Sequence, residues 1–192
     1  MDNCFVDITL EFLSVAFHSI LYHSNIYPKS VFESRRKYST VVYQSIHPEV
    51  NKYIELCLKT IGECLKMKEL SRVELALTDS EYKAIVKFVF DLDSNCNFDD
   101  TVDAYLVQCE QNMRSFCLTL SSKFHKLKKL PEDASFSVLI HANESAAVSL
   151  SVDPQFEEFP MIEVNKIEEL TNVVPLGYFS VMNYNIATYI EL

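Results

Sequence analysis

The residues with which this 192-residue chain could do nucleophilic or metal chemistry are six cysteines and five histidines. Catalysis needs a nucleophile, a base and an orienting group that converge in space. Cys57 or Cys117 with His47 or His141 could supply the first two. No nucleophile signature surrounds either thiol, and several of the cysteines (Cys4, Cys57, Cys64, Cys96, Cys109, Cys117) lie on apolar helical stripes. A free thiol there behaves as a small hydrophobe. No CxxC pair occurs, and no Cys/His set has zinc-finger spacing. His18 and His23 stand five residues apart, off the spacing that puts two metal ligands on one helical face. The acid pairs Glu157-Glu158 and Glu168-Glu169 read as solvated surface. The chain is expected to have no catalytic residue, no metal and no cofactor.

Gly62 and Gly177 are the only glycines, too few for a phosphate-cradling loop, which argues against nucleotide chemistry. The formal charge of −10 opposes tight binding to free nucleic acid, which rests on phosphate neutralisation by Lys and Arg. The local basic cluster Lys123, His125, Lys126, Lys128 and Lys129 suits the C-terminus of a helix. No apolar run reaches the ~20 residues of a membrane span. Met1-Asp2-Asn3 is not a signal-peptide opening, so a reducing compartment, nucleus or cytoplasm, is expected. A hydrophobic fraction of 48% and an aromatic fraction of 12% predict a folded globule.

The elements that must position these residues follow from periodicity. From Asn3 to about Ser24, Phe5, Ile8, Phe12, Leu13, Ala16, Phe17, Ile20 and Leu21 recur at helical spacing. Val6, Leu10 and Val15 lie off that stripe, so this helix belongs inside the fold. Residues 31–46 are mixed, and their second half, Tyr38 to Tyr43, has strand composition. Pro48 opens a second helix with the stripe Val50, Tyr53, Ile54, Cys57, Leu58, Ile61 and Leu65, which Gly62 weakens. Val73, Leu75, Leu77 and then Ala84, Val86, Phe88, Phe90 alternate around Asp79-Ser80-Glu81, predicting a hairpin. Asp99 and Asp100 offer caps for a third helix carrying Val102, Tyr105, Leu106, Cys109, Met113, Phe116, Cys117 and Leu120. Phe136, Val138 and Ile140 mark another strand. From Asn143 on there is no helical stripe, and residues 179–184 and 187–190 read as late strands. Antiparallel strands with three helices on one face make an α+β domain.

The run Glu11-Phe12-Leu13-Ser14-Val15-Ala16-Phe17-His18-Ser19-Ile20-Leu21-Tyr22, followed by Asn25-Ile26-Tyr27-Pro28, resembles the opening helix of HORMA domains. Phe32-Glu33-Ser34-Arg35-Arg36-Lys37-Tyr38, His47-Pro48-Glu49-Val50-Asn51-Lys52-Tyr53-Ile54 and Lys87-Phe88-Val89-Phe90 are similar to the branch of accessory subunits of the translesion DNA polymerase zeta. Phe136-Ser137-Val138-Leu139-Ile140-His141 and Phe159-Pro160 agree with that branch. The resemblance runs from about Val6 to Glu191. The alternative within the family is a spindle-checkpoint-type HORMA protein that binds mitotic regulator peptides.

The resemblance implies one HORMA domain over residues 1–192, with a core of about 3–142 and a C-terminal safety belt of about 143–192. It implies a non-catalytic adaptor in which the belt closes over a partner peptide that has added as a strand to the sheet edge. In the polymerase-zeta branch that partner is a proline-containing peptide of the catalytic subunit. The implied peptide site maps onto Tyr53, Phe159, Pro160 and Met161, with Met161 standing where a tryptophan is common. A second interface, for the C-terminal domain of a Y-family scaffold polymerase, maps onto Val173, Pro175, Leu176 and Tyr189, with Ala187 in place of a glutamine. Arg114 maps onto a HORMA–HORMA dimer position. A nuclear location, remodelling by an AAA+ partner and a role in DNA damage tolerance are further implications.

Overall fold

The computed structural model describes residues 3–93, 102–125, 127, 129–152, 162, 164, 170–181 and 184–192. In chain order the elements are α1 (Asn3–Ser24), a 3-10 turn (Lys29–Val31), β1 (Phe32–Lys37), β2 (Thr40–Ser45), α2 (Pro48–Met67), β3 (Leu70–Thr78), β4 (Ala84–Asp93), α3 (Val102–Phe124), β5 (Ser135–Ala142), α4 (Glu144–Val152), β6 (Val173–Val181) and β7 (Tyr184–Glu191). Strands β3–β7 form one antiparallel sheet in the order β5-β3-β4-β7-β6, and β1 pairs with β2 alone. The fold is the expected α+β arrangement of antiparallel sheet and helices, with a fourth, short helix added.

Helix α1 lies in the middle because it is apolar on nearly every side. Phe12, Ala16, Phe17, Ile20 and Leu21 are wholly buried. Phe12 meets Phe90 of β4, Phe116 of α3 and Phe179 of β6 edge-on, at centroid distances of 6.1, 4.9 and 5.0 Å. Such pairs add ~0.5–1.5 kcal/mol each beyond the area they bury. One side chain thereby ties the first helix to the sheet centre and to the C-terminal hairpin. By length and a mean hydropathy of 1.6, α1 is sufficient to cross a bilayer, which corrects the reading that no segment is. Its apolarity is taken up by the core instead.

Helix α2 begins at Pro48 as expected and ends on Lys68 in the left-handed region, with φ of 61°. Gly62 does more than weaken the last turn. A Cβ there would lie 3.0 Å from Leu10 Cδ1, so the glycine lets α1 and α2 approach closely. Residues 31–46 differ from expectation, since both halves are strands. Tyr38 and Ser39 both take positive φ, 48° and 55°, and make the two-residue turn that matches strand twist. The turn lacks the usual Asn-Gly. Burial of the Tyr38 ring and donation by its hydroxyl to Glu11 Oε1 at 3.3 Å offset the backbone strain.

Helix α4 was not expected. Asn143 caps it by accepting from the Ala146 amide at 3.0 Å, and only Ala146 and Leu150 are buried, against Cys64 of α2. The late strands start earlier than expected, at Val173, and β6 closes at Val181 before β7 opens at Tyr184. The expected caps Asp99 and Asp100 lie outside the described residues, as do Cys96, Lys126, Lys128, Glu157, Glu158, Glu168 and Glu169.

The face of the sheet away from α1–α3 carries charges that are shielded from water. Glu74 is 1% exposed and Lys87 2%. His141 Nε2 stands 3.0 Å from Glu74 Oε1, and Lys87 Nζ 3.4 Å from Glu74 Oε2. Burial pushes the Glu74 pKa up, but the hydrogen bonds and charges of His141 and Lys87 outweigh it and hold the carboxyl below its ordinary value. Losing one partner of a buried ion pair costs about 3–5 kcal/mol, whereas removing both costs far less. Lys87→Met is therefore expected to lower the unfolding free energy in urea by about 3 kcal/mol, and Glu74→Leu/Lys87→Met to recover at least half. Because Glu74 titrates lower in the folded chain, its contribution is present above the unfolded pKa and lost as pH falls through the folded one. The stability gap between wild type and Glu74→Gln should shrink steadily as pH falls below the ordinary carboxylate range; a gap independent of pH there would contradict the assignment.

Candidate functional site

A five-stranded sheet has two edges, and here they are β5 and β6. Among the described residues β5 pairs only with β3, so its other side is unmatched along Ser135–Ala142. Every residue of β5 is half-buried, neither shut in the core nor fully solvated. An edge of this kind is a template for another extended chain.

Helix α2 lays an aromatic side chain against that edge. The Val138 amide donates to the Tyr53 hydroxyl at 3.2 Å instead of to a neighbouring strand. Strand alternation then turns the polar backbone groups of Phe136 and Ile140 outwards as well. The Tyr53 ring meets Phe136 edge-on at 5.3 Å, and Tyr27 meets Phe136 at 6.2 Å. Three aromatic rings thus gather at the N-terminal half of the free edge. Burial, with the Cys57 thiol as a lesser cause, pushes the Tyr53 hydroxyl up to about 12, and the Val138 amide only partly opposes it. The hydroxyl is neutral across the physiological range, so the site presents aromatic faces, one hydroxyl and main-chain groups. Such groups are chemically suited to an extended peptide, and aromatic faces to prolyl rings.

Phe159, Pro160 and Met161, the other expected peptide contacts, lie outside the described residues. Of the second group, Pro175 stands directly across from Tyr189 and Val173 across from Glu191 on the C-terminal hairpin. Val173 is exposed. The bulge between Pro175 and Gly177 leaves Leu176 buried among core residues, so it anchors the strand from inside. Ala187 pairs with Asp91 on one side and Tyr178 on the other, and the exposed Tyr178 was not anticipated. Arg114 is exposed on α3.

The thiols considered for catalysis are poor nucleophiles in this setting. Burial pushes Cys57, Cys64 and Cys109 up to about 11 and Cys117 to about 12. His141 faces Glu74. His18 is buried, pushed down to about 4, and its Nδ1 accepts the Ser45 amide at 3.3 Å, fastening β2 to α1. Among the described residues no group of three or more His, Cys, Asp or Glu converges as metal ligands would.

What sequence reasoning missed is Tyr27 and a chain of polar groups across the outer face. Arg72 Nε donates to Asp91 Oδ1 at 2.6 Å, and the Tyr189 hydroxyl donates to Asp91 Oδ2 at 2.8 Å. The available signal was the charge at the outward positions Arg72 and Glu74 of β3 and Lys87 and Asp91 of β4, which reads equally as an ordinary solvent face.

The sequence pattern of the HORMA domain matches residues 6–180. The human "Mitotic spindle assembly checkpoint protein MAD2B" is 33% identical over 156 residues, 81% of this chain and 74% of that one. The Drosophila melanogaster "DNA polymerase zeta subunit 2" is 32% identical over 163 residues, 84% of this chain and 82% of its own. Among solved structures, a chain of the "Mitotic Checkpoint Complex" superposes with a TM-score of 0.81 at 20% identity, over 96% of each chain. Caenorhabditis elegans HTP-2 bound to a HIM-3 closure motif superposes at 0.73 and 15% identity, over 97% of this chain and 89% of that one. A pattern that spans nearly the whole chain, relatives at a third identity and the same architecture lead to one conclusion: this chain belongs to the HORMA domain family.

Proposed function

We propose that the chain is a non-catalytic adaptor that holds a proline-containing peptide of the DNA polymerase zeta catalytic subunit against the free edge of β5. In this reading it bridges that subunit to the C-terminal domain of a Y-family scaffold polymerase during translesion synthesis in the nucleus. The observation that carries the reading is the unmatched β5 edge with Tyr53 beside it. A guest main chain would take over the Val138 amide from the Tyr53 hydroxyl and lay a prolyl ring among Tyr53, Phe136 and Tyr27. Phe159, Pro160 and Met161 are the further contacts the family pattern offers.

The division into a core of about 3–142 and a belt of about 143–192 is part of the proposal. After β5 the chain makes α4, which packs against α2, Ile140 and Ala142, and then it must reach β6 at the opposite edge. The crossing from β5 to β6 is four strand spacings, ~19 Å. Residues 153–172 reach up to roughly 66 Å when extended. The excess is enough to pass around a guest strand. Release then requires the hairpin β6–β7 to leave β4, which puts affinity mainly into a slow off-rate.

Val173, Pro175, Leu176 and Tyr189 are the proposed support for the second partner, with Val173 and the Pro175–Tyr189 pair facing it and Leu176 holding the strand behind them. Arg114 on α3 is the proposed dimer contact, and an AAA+ remodeller is the proposed means of opening the belt. The relatives' names also carry a checkpoint role, so kinetochore or anaphase-inhibitor peptides are the competing guests.

Isothermal titration with a proline-containing peptide of the catalytic subunit tests the site. Tyr53→Ala is expected to weaken binding by at least ~2 kcal/mol, as buried aromatic anchors do. Tyr53→Phe, which keeps the ring, should stay within ~1 kcal/mol of wild type. Equal affinity for wild type and Tyr53→Ala would remove Tyr53 from the site, and tight binding of checkpoint peptides alone would favour the competing guests.

A further inference from the structure

The hairpin β6–β7 rests on β4 through one ladder, with Phe88 across from Ile190, Phe90 from Thr188 and Leu92 from Ile186. The core face of β7 is therefore Ile186, Thr188 and Ile190, with isoleucine at both ends. A slip by two residues would preserve the alternation of inward and outward side chains, so the in-and-out pattern that excludes a slip by one does not exclude it. The opposite face adds a directional contact to the packing of Phe179 on Phe12. Tyr189 stands across from Val89 and reaches diagonally to Asp91 Oδ2 at 2.8 Å. A two-residue slip would carry the hydroxyl by about 6.6 Å, out of reach.

Asp91 is itself fixed. Arg72 of β3 donates to it through Nε at 2.6 Å and Nη2 at 3.4 Å. Arg72 Nη1 lies 3.6 Å from Glu74 Oε1, and His141 of β5 lies 3.0 Å from the same oxygen. A continuous polar chain thus runs from the free edge strand, across β3 and β4, to the last strand. The Arg72 and Asp91 side chains are about one-third exposed, 35% and 34%. Water can reach them when the hairpin leaves, so the contact opposes departure without making it prohibitive.

We propose that Tyr189, Asp91 and Arg72 form a polar latch that sets the register and lifetime of the docked C-terminal hairpin, and through it the residence time of a guest on β5. The part concerning the guest rests on the peptide-docking reading; the part concerning the hairpin does not. These three are positioning residues: none contacts the guest, and each acts through the strand that must move to release it. Tyr189 would then be more than a face for a second partner, because its hydroxyl is committed to Asp91 while its ring lies beside Pro175.

Two measurements on the full chain test the latch. The first is amide hydrogen exchange of residues 173–191, and the second is the dissociation rate of a fluorescein-labelled proline-containing peptide after dilution. Tyr189→Phe keeps the ring and removes only the donor. It is expected to speed hairpin exchange and peptide release by about tenfold each, the factor that one hydrogen bond of ordinary net strength controls, while Leu75 and Phe88 amides exchange as in wild type. Asp91→Ala, which removes the acceptor and also frees Arg72, should act at least as strongly, and adding Tyr189→Phe to it should change hairpin exchange no further, since the hydroxyl then has no partner left to lose. Ile190→Val, a core cavity, serves as the control that accelerates exchange throughout the sheet. Unchanged hairpin exchange in Tyr189→Phe would overturn the latch, and so would a further acceleration when Tyr189→Phe is added to Asp91→Ala. If the wild-type chain holds no such peptide, the docking reading falls, and the exchange comparison still decides the latch.

Discussion

Half-buried backbone amides and carbonyls need partners, and among the described residues the outer side of β5 has a row of them without a neighbouring strand. An unmatched edge is a hazard that folded proteins usually blunt with charge, proline or a bulge. Here Ser135–Ala142 carries no proline, and Tyr53 takes up the Val138 amide with its hydroxyl. A tyrosine hydroxyl is a replaceable partner, since a guest carbonyl can take its place while the ring stays as a wall. The rest of the molecule can be understood as the means of keeping that edge straight, accessible and coverable.

Straightness comes from the core. Phe12 joins α1, β4, α3 and β6 through edge-on aromatic contacts, and Gly62 allows α2, which carries Tyr53, to approach α1 closely. Coverability comes from topology. The chain leaves β5 and forms α4 beside it, and the described strands that follow, β6 and β7, lie toward the opposite edge of the sheet, where Phe179 and Ile190 enter the same core. The hairpin is thus well packed yet held to the sheet by a single ladder, and the outer-face charges offer a contact that water can replace. A sheet whose outer face was apolar would bind its cover more tightly and release it less readily.

Much of this was legible in the residues because it depends on period. The stripes of α1, α2 and α3, the alternation of β3 and β4, and the strand at Phe136-Val138-Ile140 all appeared where expected. The elements that escaped are those whose stability comes from tertiary contact. Tyr38-Ser39 makes a hairpin turn without turn residues because the buried ring holds it. The residues of α4, mostly serine, alanine and valine, show no stripe and rely on the Asn143 cap and the Cys64 contact. Pro175 and Gly177 lie within β6, ahead of the strand expected from residue 179, because a bulge accommodates them. Tyr53 was found through resemblance to a family, since its spacing on α2 fits an ordinary core position. The polar chain from His141 to Tyr189 was invisible because it joins four strands far apart in sequence, and outward charges on a strand look the same whether solvated or buried.

The central claim is that a guest chain adds to the outer side of β5 while the C-terminal hairpin stays on β4. Residue-resolved amide exchange with and without a saturating proline-containing peptide tests it most directly. The account predicts strong new protection at Val138 and Ile140, with the amides of β4 and β7 at least as protected as before. Protection confined to β6, or peptide binding that leaves the Val138 and Ile140 amides exchanging at their free rates, would contradict it.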